Sequence, residues 1–102
     1  MSTRPRKIAP KRGRPKGATS FNAEVALAFG AVVRALRLDS GLSQESFAHV
    51  ADIERSHMSR IERGASQPTL YAIMRIATAL GIEGSTLLRK TERELRKAAS
   101  GE

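Results

Sequence analysis

The chain has 102 residues, with 18 Lys or Arg against 10 Asp or Glu, a formal net charge of +8, and no cysteine. The missing cysteine excludes a disulfide framework, a thiolate nucleophile and a zinc finger, and no run of about 18 uncharged apolar residues offers a membrane span. The basic N-terminus has no apolar stretch directly after it and so does not read as a secretory signal; a cytoplasmic protein is expected.

The charge is unevenly placed. Residues 1–17 hold Arg4, Arg6, Lys7, Lys11, Arg12, Arg14 and Lys16 with no acid, whereas the remainder carries 11 basic and 10 acidic residues. Three prolines (Pro5, Pro10, Pro15) and little beyond Ile8 to build a core predict a disordered basic arm over residues 1–20. Such arms bind polyanions; a solubilising tail is the plain alternative. Within the arm, Lys11-Arg12-Gly13-Arg14-Pro15-Lys16 resembles an AT-hook over residues 11–16. Gly13 has no side chain to strike the groove floor, Pro15 helps hold the strand extended, and Arg12 and Arg14 reach along it. The narrow minor groove of A·T tracts attracts them through its enhanced negative potential. Insertion into the minor groove and nonspecific phosphate binding both fit.

From about Asn22 to Ser40, Phe29, Val33 and Leu36 recur at i, i+4 and i+7, which predicts an amphipathic helix stopped by Gly41. Residues 43–64 read as two short helices about a tight polar turn, with Phe47, Ala48, Ala51, Ile53, Met58 and Ile61 facing inward. Ser43 is a good N-cap for the first, since its hydroxyl accepts an orphan backbone N–H. The turn falls near Asp52, a residue that tolerates the left-handed conformation. Arg55, Ser56, His57, Ser59 and Arg60 remain on the outside of the second, a donor-rich face shaped for a major groove. An ordinary two-helix corner with a solvated outer face would show the same periodicity. Gln67-Pro68-Thr69 opens a further helix with Leu70, Ile73, Ile76, Ala77 and Leu80 inward and Gly81 ending it. A fifth helix is expected from about Ser85 to Ala99, with Leu87, Leu88 and Leu95 as its apolar residues.

Residues 43–64 resemble the helix-turn-helix of the lambda-repressor-like (Cro, or xenobiotic-response-element) family, whose pattern is Ser-Gln-x-x-Leu-Ala, Gly-Val, Ser-x-Ile-Ser-x-Ile-Glu-x-Gly. The chain matches it without a gap at Ser43, Gln44, Ala48, Ser56, Ser59, Ile61, Glu62 and Gly64. It departs at Asp52, where the family usually has Gly, and at Glu54, where a Ser or Thr cap is common. The resemblance spans roughly residues 29–88. It implies an all-α fold: a compact five-helix lambda-repressor-like DNA-binding domain over residues 21–99 behind a disordered basic N-terminal arm.

The roles it implies follow position by position. Gln44 contacts a phosphate at a helix N-terminus. Arg55 and Ser56 read base edges, with Arg60 one turn further along; an arginine so placed favours guanine O6 and N7. Ser59 and Arg63 fall to phosphate or structural contacts, His57 either touches DNA or is a partly exposed spectator, and His49 is assigned no role. Arg37 and Glu62 form a semi-buried pair joining the first helix to the recognition helix. No catalytic constellation or metal-ligand spacing is present, so neither an enzyme nor a cofactor is expected. The expected partners are double-stranded DNA and a second copy of the chain; the candidate homodimer seam is the last helix at Leu87, Leu88 and Leu95, the alternative being that these leucines cap the domain core. The functional reading is a transcriptional regulator associated with the nucleoid. The alternative is an antitoxin or restriction-modification controller, which in the antitoxin case also binds a partner protein.

Overall fold

The computed structural model describes residues 21–101, and among them five helices and no strand are found. The arm over residues 1–20, with Arg12, Gly13 and Arg14, lies outside the described residues. Helix α1 runs Ala23–Asp39, α2 Gln44–Ala51, α3 Arg55–Glu62, α4 Leu70–Leu80 and α5 Gly84–Ala99. Several boundaries have a local cause. Asn22 precedes α1 as its cap, its Oδ1 accepting from the Val25 amide at 2.9 Å. Ser43 Oγ accepts from the Ser46 amide at 3.0 Å and so caps α2. Thr69 does the same for α4 through the Ala72 amide at 3.1 Å. Helix α2 stops at Asp52, which adopts the left-handed conformation (φ 59°, ψ 45°). The Asp52 and Ile53 amides there close back onto the carbonyls of His49 and Ala48, as left-handed C-caps do.

The core is one cluster. Phe29 and Val33 from α1, Phe47, Ala48 and Ala51 from α2, Met58 and Ile61 from α3, Ile76 and Ala77 from α4 and Leu87 from α5 are all buried. Ile53 and Leu36 pack against its edge. Helix α5 lies along α1, and α3 is gripped between α1 and α2.

Two expectations drawn from periodicity are corrected. Leu70 is 69 % exposed, and Ala72 takes the buried place in the first turn of α4 instead. Leu70 has the right angular position for the stripe, but it stands at the very start of the helix, where no neighbour covers it. Leu87, assigned to a dimer seam, is 0 % exposed and fills the monomer core. Leu88 stays exposed and Leu95 half-buried, so only these two remain for a seam on α5.

Candidate nucleic-acid interface

Helix α3 has two unlike sides. Met58 and Ile61 are fully buried and Glu62 nearly so, which fixes the helix from behind. Arg55, Ser56 and Arg60 are exposed on the other side, with His57 and Ser59 half-buried between. The outer side chains are pre-arranged by short-range contacts. The Arg60 guanidinium lies 3.3 Å from His57 Nδ1, one turn back on the same helix. Arg63 Nε donates to Ser59 Oγ, also at 3.3 Å. Glu54 makes no side-chain cap bond for α3; its carboxylate accepts from Ser56 Oγ at 3.4 Å. His49 is exposed on α2.

The base of α3 is held by an ion pair. Arg37 Nε donates to Glu62 Oε2 at 2.7 Å and Arg37 Nη2 to Glu62 Oε1 at 3.0 Å, a two-pronged geometry suited to guanidinium and carboxylate. Arg37 Nη1 donates to the Leu42 carbonyl at 2.9 Å, so the same side chain also ties down the loop before α2. The bonds to Glu62 outweigh burial and raise the Arg37 pKa above its ordinary value. A raised arginine pKa contributes stability in full below the unfolded value and loses it only as pH climbs through the folded one. Both lie far above neutrality, so this contribution is constant across the physiological range.

Gln44 has a partner that the sequence reading did not assign to it. Its Nε2 donates to Glu62 Oε1 at 3.0 Å. The amide is thereby a third donor to the buried carboxylate, and its second N–H is the one that a phosphate contact would use.

Two features of this site went unread in the sequence. Gly30, in the middle of α1, lies against the last turn of α3: a Cβ there would overlap the Ile61 carbonyl oxygen and come within 2.7 Å of that of Glu62. A glycine inside a strongly periodic helix is the signal that could have exposed it, since that choice costs about 1 kcal/mol and usually has a packing reason. The second is Arg75 of α4, whose Nε donates to the Ala51 carbonyl at the end of α2 at 2.6 Å. Among the described residues no group of His, Asp and Glu is arranged to hold a metal ion, and no helix is long and apolar enough to cross a membrane.

Comparison with known proteins agrees with this geometry. Residues 28–89 match the helix-turn-helix domain family. The control protein C.BamHI of Bacillus amyloliquefaciens is 42 % identical over 65 residues, which cover 63 % of this chain and 80 % of that protein. The crystal structure of the restriction-modification controller protein C.AhdI from Aeromonas hydrophila superposes with a TM-score of 0.59 at 40 % identity, covering 61 % of this chain and 94 % of that one. The controller protein C.Esp1396I, solved as a tetramer with its natural 35 base-pair operator, has a TM-score of 0.66 over 72 % of this chain and 96 % of its own at 23 % identity. That last likeness bears on the fold alone.

Proposed function

The chain belongs to the helix-turn-helix family, and from that membership we propose that it is a sequence-specific DNA-binding transcriptional regulator that reads the major groove with α3. The observation that carries the proposal is the two-sidedness of α3, exposed at Arg55, Ser56 and Arg60 and fixed behind by Met58, Ile61 and the Arg37–Glu62 pair. A recognition helix needs both: exposed polar side chains at its N-terminal end and a firmly held base. Arg55 and Ser56 open α3 and take the base edges, Arg60 follows one turn later, and His57 and Ser59 border the groove. Gln44, with one N–H on Glu62, offers the other to a phosphate together with the N-terminal turn of α2. Nothing in this reading calls on catalysis, and its place is the cytoplasm, on the nucleoid.

The test is selection of bound sequences from a random DNA pool, followed by Arg55→Ala. Loss of a bidentate guanine contact is expected to cost about 1–3 kcal/mol of binding and to relax preference at one base position per half-site. A variant that weakens equally on every sequence would make Arg55 a phosphate contact.

A restriction-modification controller is the subtype favoured, by the 42 % and 40 % identities to C.BamHI and C.AhdI; a neighbouring restriction gene would discriminate it from an antitoxin. As a homodimer the chain would set two copies of α3 about 34 Å apart on one face of the duplex.

The arm extends the proposal beyond the described residues. Seven cations stand in residues 1–17, and removing that segment is expected to flatten the salt dependence, by about 0.9 in the log–log slope for each phosphate no longer neutralised. If Arg12, Gly13 and Arg14 sit in a minor groove, the truncated chain will also lose a preference for flanking A·T pairs. Identical flanking sequences selected by both chains would leave only a polyanion tail.

A further inference from the structure

Arg75 reaches from α4 to the turn between α2 and α3. Its Nε bonds the Ala51 carbonyl at 2.6 Å and its Nη2 stands 3.5 Å from Asp52 Oδ2. Its Nη1 donates to the Tyr71 hydroxyl at 2.9 Å, and its guanidinium lies 5.5 Å from the centre of the Tyr71 ring. Tyr71, though 66 % exposed, is thus a prop for the guanidinium as well as a surface residue. The Ala51 carbonyl belongs to the last turn of α2, where carbonyls lose their helical partners. Those of Ala48 and His49 are met by the Ile53 and Asp52 amides, and Ala51 itself is 1 % exposed. A buried carbonyl there needs a donor, and a cation beside a helix C-terminus is favoured in addition.

Asp52 gives this arrangement a second purpose. Among the described residues it is the one non-glycine with positive φ, at the position where the family pattern has glycine. Its carboxylate is 83 % exposed, so the ion pair to Arg75 is weak by itself. The bond to the adjacent carbonyl is charge-assisted and part-buried, and it carries the larger share.

We propose that Arg75 is a positioning residue for recognition: from α4 it clamps the Ala51–Asp52 turn in its left-handed conformation, and thereby sets how α3 is presented to DNA, in the role a glycine fills without help. The recognition half of this rests on the DNA-binding reading above.

The full chain is used, with the duplex selected from the random pool, a scrambled duplex, and amide hydrogen exchange in the free protein. Arg75→Ala is expected to weaken the selected duplex about tenfold with little change on the scrambled one. It should also speed exchange at the Asp52 and Ile53 amides more than at those of Val33 and Ile76 in the core. Arg75→Lys keeps the charge without the planar fork and should fall between; it also carries the test if Arg75→Ala does not fold. Adding Asp52→Gly should recover part of the lost affinity. Equal loss on both duplexes, exchange that rises uniformly with the core, or no recovery with Asp52→Gly each overturn the clamp. A wild-type chain that selects no sequence overturns the DNA-binding reading instead, and the exchange rates then decide the clamp alone.

Discussion

Replacing Glu62 with alanine is expected to cost about 3–5 kcal/mol of folding stability, the penalty for removing one partner of a buried ion pair. The Glu62 and Arg37 side chains are only 2 % and 9 % exposed, so Arg37 would be left buried with two N–H donors unmet, and Gln44 with a third. A domain of this size holds on the order of 5–10 kcal/mol in all, so the variant should be marginal at room temperature. Glu62→Gln is gentler and more informative. The glutamine oxygen would go to the position that now accepts from both Arg37 Nη2 and Gln44 Nε2. Its NH2 group would then face Arg37 Nε, donor against donor. Replacing the pair together, as Arg37→Met with Glu62→Leu, removes the stranded charge, and such swaps are often neutral. Recovery should be partial, because the Leu42 carbonyl also loses its donor. The double variant separates stability from aim: a melting temperature well above that of Glu62→Ala with specific DNA binding no better would show that the pair orients α3. A double variant that binds normally would reduce the pair to one packing solution among several.

How much of the fold and the site was legible in the sequence depended on whether the cause was local. Ser43, Thr69 and the Asp52 turn act within three or four residues, and each can be read from its residue type and its near neighbours in the chain. Burial of Phe47, Met58 and Ile61 follows from period, because one face of each short helix has nowhere else to go. Period gives an angle and no more. It assigned Leu70 inward although nothing covers that end of α4, and it could not tell whether Leu87 faces a core or a partner. The remaining site features are contacts between distant positions. Gln44 meets Glu62 across 18 residues and Arg75 meets a backbone carbonyl across 24, and a carbonyl has no signature in sequence. The Arg37–Glu62 pairing was available only because the pattern around Glu62 resembles a family in which that pair forms.

Gly30 offers the sharpest contest of opposing effects. Alanine is the better helix former by about 1 kcal/mol, so propensity alone makes Gly30→Ala stabilising. Against it stands a backbone approach so close that the new Cβ would overlap the Ile61 carbonyl and crowd that of Glu62. Both obstacles are main chain, which cannot swing aside as a long side chain can. Overpacking costs about 1–3 kcal/mol and occasionally more; main-chain obstacles this close put Gly30 in the upper part of that range, about 2–3 kcal/mol, so the net expectation is destabilisation by roughly 1–2 kcal/mol. For a domain this size that is a drop in melting temperature of about 4–16 °C. The position also bears on recognition. Gly30 and Arg37 are seven residues apart on one face of α1, and both touch the C-terminal end of α3. Helix α3 has eight residues and so is about 12 Å long; a tilt of a few degrees at its base moves Arg55 by a sizeable fraction of an ångström. Binding constellations tolerate roughly half an ångström. Gly30→Ala is therefore expected to lose selectivity between the chosen and scrambled duplexes as well as stability, measured well below its melting temperature. A rise in melting temperature would mean that the helices part without cost and that propensity decides the sign.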